Sequence, residues 1–422
     1  MELKKREIIF LLPHLNEKTT SSERFISIID CFLKVDEVLV NVVCFQYPIK
    51  RALSYGHQLG DINISEDIKE NLQYLLPPLN FIQRISFLLF NNGFIKVWKV
   101  LGYIYQAILG TDIFTPGKLA LNQIRTKSDN GLIIAFGGPF SIFLFAKQLS
   151  VKTNYPLVLD YRDPWNFGYT SLNSIKIIQY LKRFLIKQKE IELLKKSILI
   201  FTVSETLKKY FPEKFHHKIF VIENGSNFEN VEVRNNNFET FEILYLGTIY
   251  DEQLIDESFF IAVKNFVNNK VDVKFNFIGS KSNNKLEKII EKYDLTKHTR
   301  ITERLESEKV LDYLQSASLF LHLRYSDKNG IITSKQADYL AFRKPILLPI
   351  SDHGDLKESI EINNAGIVCN SISEIEITLK KQYELYTKNI SVIIVDNIVN
   401  KENSRSNLAA NFYKIVNNHL SY

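Results

Sequence analysis

Short apolar runs alternate with longer helical patterns along almost the whole chain, and this alternation most constrains the fold. In the first half the runs are Ile8–Leu12, Val38–Phe45, Leu132–Phe136, Leu157–Asp160, Ile198–Thr202 and Ile219–Ile222. In the second half they are Glu242–Leu246, Lys274–Ile278, Leu319–Leu323, Ile346–Ile350 and Gly366–Val368. They are continuous and rich in β-branched and aromatic residues, as expected of strands buried on both faces. Helical periodicity fills the intervals, for example Ser22–Leu33, Asn173–Lys195, Glu252–Asn268, Ser307–Gln315 and Ile372–Tyr386. Strand–helix alternation in both halves predicts an α/β protein with two doubly wound, Rossmann-like parallel sheets.

A chain of 422 residues is too long for one ordinary core. The polar, asparagine-rich stretch 224–239 reads as the linker. The expected domains are therefore 1–225 and 240–400. Residues 401–422 follow a polar break and contain a last helix, Asn407–His419, able to pack on either domain. Hydrophobic residues at 45% and charged residues at 24% are ordinary globular values, so both halves can bury a core. A net charge of +6 over this length is only a mild bias towards anionic partners, and nucleic acid is not expected among them. Cys31, Cys44 and Cys369 are widely spaced and match no metal-ligand spacing, which fits a reducing, cytoplasmic compartment. The apolar run after Arg6 is too short for a signal peptide core, and no stretch has the length of a spanning helix.

Residues 75–109 interrupt the alternation. They are dense in aliphatic and aromatic side chains, with Pro77 and Pro78 before them and Arg84, Lys96 and Lys99 among them. This predicts one or two amphipathic helices inserted in the first domain. Two readings stand: helices that cover the first sheet, or an interfacial surface meeting a membrane or a lipid-linked substrate. The second reading allows association with the inner face of a membrane.

Doubly wound domains bind ligands at the C-terminal ends of their strands, and two such domains would face one another across a cleft. The richest strand-end segment is Gly330–Pro345, read as a loop, a short helix and a strand. Thr333 or Ser334 can cap the helix, Lys335 lies in its first turn, and Asp338 lies one turn on along the same face. A helix N-terminus and a lysine suit a diphosphate, and a carboxylate there suits a ribose diol. Lys and Asp at this spacing also serve plain solubility on surface helices. Gly247, Thr248 and Gly279 follow two strands of the second half and would let a phosphate or base come close. Arg324 offers a second cation for a diphosphate. In the first half the strand-end groups are His14, the run Gly137, Gly138, Pro139, and then Asp160, Arg162 and Asp163. Each could line a cleft; each also has a plain structural reading as a turn, a connection or an Asp–Arg pair. No Gly-x-Gly-x-x-Gly, Walker loop or Gly-x-Ser-x-Gly elbow occurs, which disfavours dinucleotide oxidoreductases, P-loop enzymes and α/β-hydrolases.

Taken in order, Gly137-Gly-Pro-Phe-Ser, Asp160-Tyr-Arg-Asp-Pro-Trp, Thr202-Val-Ser-Glu-Thr-Leu, Ile222-Glu-Asn-Gly-Ser, Tyr245-Leu-Gly-Thr-Ile-Tyr and Gly330–Pro345 resemble family 4 glycosyltransferases of the GT-B type, especially bacterial ones. The resemblance implies a hexosyltransferase-type enzyme of cell-surface polysaccharide or glycoconjugate synthesis. It implies a nucleotide-sugar co-substrate bound mainly in the C-terminal domain and a saccharide or lipid-linked acceptor bound mainly in the N-terminal domain. It implies retention, no metal, no further cofactor, and a C-terminal helix that crosses back to the first domain. On this pattern Asp338 matches the acidic residue that holds the donor ribose. Gly330, Ile331, Ile332, Thr333 and Ser334 would offer amides to the diphosphate and sugar, and Lys335 would neutralise phosphate.

The chain also departs from the pattern. Gly330 stands where many members have an acid, and Gly247-Thr-Ile-Tyr lacks their arginine and lysine. Gly137-Gly138-Pro139 replaces a frequent histidine. The diphosphate cations are then expected from Lys335 and Arg324, and the catalytic candidates are Asp163 and Asp160. A nucleotide-sugar epimerase on the same fold, and a non-catalytic protein that binds nucleotide or partner enzymes, are the alternatives.

Overall fold

The computed structural model describes residues 5–13, 15, 19–50, 64–163, 165, 176–229, 231, 240–267, 272–390 and 401–420. Within them the chain divides into two compact units. One holds 1–203, 207–223 and 409–422; the other holds 204–206 and 224–408.

The first unit is built on seven parallel strands: β1 Arg6–Leu12, β2 Val38–Phe45, β3 Leu72–Leu75, β4 Gly131–Phe136, β5 Leu157–Arg162, β6 Leu199–Thr202 and β7 Ile219–Val221, in the order β3-β2-β1-β4-β5-β6-β7. The second has six: β8 Phe241–Leu246, β9 Val273–Ile278, β10 Thr299–Ile301, β11 Leu319–Leu321, β12 Ile346–Leu348 and β13 Gly366–Val368, in the order β10-β9-β8-β11-β12-β13. Every strand pair is parallel. Both sheets reverse their winding once, between β1 and β4 and between β8 and β11. The crevice beyond such a reversal is where ligands of open α/β sheets sit.

The eleven strands expected from apolar runs are present. The sequence reading missed β3 and β10. Both are outer strands of their sheets, and their residues, Leu-Gln-Tyr-Leu and Thr-Arg-Ile, are half-buried or exposed for the most part. A strand with one open edge needs no continuous apolar run. The expected helix Glu252–Asn268 is instead a short 3-10 turn, Asp251–Leu254, followed by a helix, Ser258–Val267. Asp256 lies in the break, where its Oδ1 accepts from the amide of Ser258 at 3.0 Å, a local turn contact that competes with a continuous helix.

Residues 75–109 form two helices, Phe81–Asn91 and Ile95–Leu109. Phe87 and Tyr105 join the first unit's core with Ile133, Ala135 and Phe145. The last helix, Arg405–Leu420, packs in its second half on the first unit's sheet. Phe412 stacks on Phe201 at 3.9 Å, and Tyr413 meets Phe32 edge-on. No helix among the described residues is long and apolar enough to cross a membrane.

Candidate functional site

The helix Ser334–Phe342 follows the loop after β11 and lies almost wholly inside the second unit. Tyr339 explains the placement. Its ring stacks on Phe320 at 4.3 Å with planes 3° apart. Its hydroxyl accepts from the amide of Leu246 at 2.9 Å and lies 3.3 Å from the carbonyl of Leu321. One side chain therefore ties the helix to the ends of β8 and β11, where the sheet order reverses.

Burial changes the meaning of Lys335. A solubility lysine would extend into water, yet Lys335 is only 7% exposed. Its Nζ makes no hydrogen bond among the described residues and lies 3.7 Å above the Tyr245 ring. A cation–π contact compensates part of the lost hydration. Burial still pulls the ammonium down to about 7. Its aliphatic stem runs past Gly247, where a Cβ would lie 3.9 Å from Lys335 Cε. Gly247 has φ +97°, a conformation that side chains with a Cβ rarely adopt, so the strand end stays bare beside the lysine. Gly279, φ +87°, closes the neighbouring strand end against Gly247.

His322, at the end of β11, was missed in the sequence. It is fully buried, makes no well-formed hydrogen bond, and is held neutral by burial first and by Lys335 second. The signal was available: a histidine inside the run Leu319–Leu323 is a polar break in an apolar strand.

Thr333 occupies the N-cap position of the helix, but its hydroxyl does not cap, which corrects that expectation. The hydroxyl is buried with no partner among the described residues. Gln336 Oε1, also buried, is likewise unpaired, while its Nε2 donates to Ser359 Oγ at 3.0 Å. Lys335, Thr333, Gln336 and His322 thus bring unmet hydrogen-bonding capacity to one end of the sheet. Buried polar groups are normally satisfied, so a concentration of exceptions calls for an explanation.

Asp338 is half-buried on the same helix and accepts from Ser226 Oγ at 2.7 Å. Ser226 belongs to a segment clamped by Arg405, whose guanidinium donates to the carbonyls of Asn224 and Gly225 and to Asn227 Oδ1. The sequence reading missed both Ser226 and Arg405 as supports of Asp338. Gly330 and Ile331 are buried, whereas Ile332, Ser334 and Thr248 are half-buried. Arg324 is already engaged: it pairs with Asp256 at 2.9 Å and donates to the Ser351 carbonyl at 3.2 Å. Its Nε remains without a partner among the described residues.

In the first unit the strand-end candidates separate into two kinds. Asp160 is 2% exposed and held by Arg24, through Nε at 2.8 Å and Nη2 at 3.2 Å. Arg24 also donates to the carbonyls of Ile222 and Glu223. This constellation joins the ends of helix Thr20–Leu33, β5 and the segment after β7, and it reads as structural. Asp163 and Arg162 are more open, pair at 3.3 Å, and follow a register shift between β5 and β6. Arg162 has φ +55° and hydrogen-bonds Ser21 Oγ. Gly137, Gly138 and Pro139 lead into helix Ser141–Thr153, whose start Asp112 holds by accepting from the Ser141 amide at 3.1 Å and hydroxyl at 2.5 Å. Phe140 of this loop stacks on Trp165 at 5.8 Å. His14 lies outside the described residues, as does most of the expected linker, 230 and 232–239. Among the described residues no group of three or more His, Cys, Asp or Glu is placed to hold a metal ion.

Residues 227–391 match the family model described as glycosyl transferases group 1. Three solved structures share the fold over nearly the whole chain. Sucrose-phosphate synthase from Thermosynechococcus elongatus is 10% identical, with TM-score 0.61, 99% of this chain and 100% of that one covered. HepE of Anabaena in complex with UDP is 11% identical, with TM-score 0.58, covering 98% and 100%. UDP-GlcNAc 2-epimerase from Methanocaldococcus jannaschii is 13% identical, with TM-score 0.52, covering 97% and 99%. No curated protein matches by sequence. At these identities the structures establish fold alone, and the family model supports glycosyl transfer in general. This chain carries a glycosyl transferases group 1 domain at residues 227–391, on a fold of the GT-B class.

Proposed function

We propose that the protein transfers a sugar, of hexosyl type, from a nucleotide-sugar donor to a saccharide or lipid-linked acceptor. The reaction is read as retaining and metal-independent, with no further cofactor, in the cytoplasm, and in the making of a cell-surface polysaccharide or glycoconjugate. One observation carries the donor assignment. A buried lysine with an unpaired ammonium lies beside the bare strand end at Gly247, at the start of a helix whose next turn presents Asp338. A diphosphate would supply the hydrogen-bond acceptors that Lys335 lacks, and a ribose diol would donate to Asp338.

In this reading an acceptor hydroxyl oxygen bonds to the anomeric carbon as the bond from that carbon to the diphosphate oxygen breaks. The hydroxyl proton passes to the leaving phosphate, so no separate base is required. Lys335 and the first-turn amides stabilise the charge on the departing diphosphate. Asp163 is the alternative proton acceptor, because Asp160 is committed to Arg24.

The test is calorimetry with nucleoside diphosphates and their sugars, without metal, on wild type and Asp338→Ala. UDP comes first, since HepE of Anabaena was solved with it. Base-selective binding that weakens in Asp338→Ala supports the donor site. Unchanged affinity in Asp338→Ala removes the ribose assignment. Turnover of the nucleotide sugar to an epimer without acceptor would favour the epimerase alternative. Folded protein that binds no nucleotide would overturn the reading altogether.

A further inference from the structure

The helices Phe81–Asn91 and Ile95–Leu109 have their apolar stripes on the wrong side for a soluble domain. In the first, Phe81, Ile82, Ile85 and Leu88 follow helical spacing and are exposed. In the second, Val97, Val100, Ile104 and Ile108 recur at intervals of three and four residues, so they form one stripe, and all are exposed. Phe81 is 76% exposed and Ile108 is 69% exposed. More than half of the exposed large apolar side chains among the described residues fall between Tyr74 and Leu109. The helix Lys176–Lys196 extends the surface. It packs against Ile95–Leu109, with Lys182 Nζ over the Tyr103 ring at 4.9 Å, and adds exposed Leu181 and Phe184. A contiguous patch of this kind marks an interaction site.

Charge identifies the occupant. From Asn71 to Thr111 the sequence contains no Asp or Glu, whereas Arg84, Lys96 and Lys99 are present. On its helix Lys96 borders the apolar stripe, while Lys99 lies further round. Lys182, Arg183, Lys187 and Lys189 follow on the neighbouring helix. A second copy of the chain would bring this cationic rim against itself, since a two-fold interface apposes the same patch. An anionic bilayer surface meets both features, taking the apolar side chains below the headgroups and the cations among them.

We infer that the exposed face formed by helices Phe81–Asn91, Ile95–Leu109 and Lys176–Lys196 seats the protein in the interface of an anionic lipid bilayer. The surface belongs to the first unit, shares no residue with the candidate donor site and does not depend on the proposed reaction. Such seating would hold the first unit at the surface where a lipid-linked acceptor resides.

The full chain is sedimented with vesicles of phosphatidylcholine, with and without phosphatidylglycerol. Wild type is expected to bind the anionic vesicles, and less strongly as salt is raised. The triple variant Phe81→Ser, Leu88→Ser, Ile108→Ser is expected to lose binding by about tenfold or more. Lys96→Ala with Lys99→Ala is expected to remove only part of the anionic preference. All five positions are exposed, so these variants should keep the fold, and circular dichroism checks this. Absence of vesicle binding by folded wild type overturns the inference. So does binding that the triple variant leaves intact. A self-association of wild type abolished by the triple variant, with no vesicle binding, would assign the face to a second copy instead.

Discussion

Lys335 Nζ sits 3.7 Å above the ring of Tyr245, buried and without a hydrogen bond among the described residues. An aromatic face is a weak substitute for water, and burial lowers the lysine to about 7 from an ordinary value near 10.4. Lys335→Met keeps the length of the side chain and removes the charge. It should weaken diphosphate binding by about 1.5–3 kcal/mol, the typical worth of a hydrogen bond to a charged group. It should also leave the protein as stable as wild type or more so at pH 7. Calorimetry and thermal melts check both; a large loss of stability would mean that Lys335 is structural.

The same lysine predicts a proton signature. An anion favours the charged form, so binding raises the lysine's pKa and draws in a proton when the pH is above about 7. The binding enthalpy for a nucleoside diphosphate at pH 8 should therefore differ between buffers of different ionisation enthalpy. That difference should shrink well below pH 7, where Lys335 is already charged, and vanish in Lys335→Met. For the unliganded fold the sign is as follows. The unfolded chain holds this proton up to about pH 10.4 while the folded chain releases it near pH 7. Between those values the unfolded state binds more protons, so Lys335's contribution makes stability rise with pH. Below about pH 7 its full burial penalty is present, and Lys335→Met should flatten the rise.

Asp338 is oriented from outside its own helix. Ser226 Oγ donates to it at 2.7 Å, and Arg405 holds the backbone on which Ser226 sits. Ser226→Ala should reduce affinity for a nucleoside diphosphate a fewfold, about 0.5–1.5 kcal/mol, while inorganic diphosphate binding is unchanged. Equal losses for both ligands would show that Ser226 supports the fold rather than the ribose contact.

How much of this was legible in the sequence depended on what each residue packs against. Strands buried on both faces announced themselves as apolar runs, so the two sheets were readable. The edge strands β3 and β10 were not, because nothing demands apolar residues along an open edge. Lys335 and Asp338 were placed on one helix face from spacing alone, but spacing gives no burial, and burial is what distinguishes Lys335 from a solubility lysine. Arg24, Ser226 and Arg405 act on residues 136, 112 and 180 positions away. No local pattern encodes such a partner. Arg24 did leave a trace, since it lies one turn before Ile28 on the buried side of its helix.

Asp160 tests the division between structural and chemical carboxylates. Its contacts to Arg24 are buried on both sides, with side chains 1% and 3% exposed. Removing one member of such a pair strands the other charge in a dry site. Arg24→Ala should therefore cost about 3–5 kcal/mol in urea unfolding, and the double variant Arg24→Ala, Asp160→Ala should cost less than the sum of the two single changes. Asp163→Ala, at a pair that is partly solvated, should leave stability nearly unchanged. A stable Asp160→Ala with selectively lost turnover would reverse the assignment.

Gly354 controls the loop before the lysine helix from the far side. A Cβ there would lie 1.9 Å from the carbonyl oxygen of Asn329, an overlap that backbone must move to relieve. That carbonyl accepts from the amide of Asp355 at 2.9 Å, so the contact pins Asn329 immediately before Gly330. Gly354→Ala should push the loop 329–333 away from its seat. The expected outcome is a loss of about 1–3 kcal/mol in stability, the range for overpacking a closed site. Donor affinity should fall with it, although no atom of Gly354 need touch the ligand. Hydrogen exchange read along the chain locates the change: protection should fall at 329–335 and stay intact in β8 and β9. Uniform loss of protection across the second unit would mean that Gly354 supports the whole domain rather than positioning this loop.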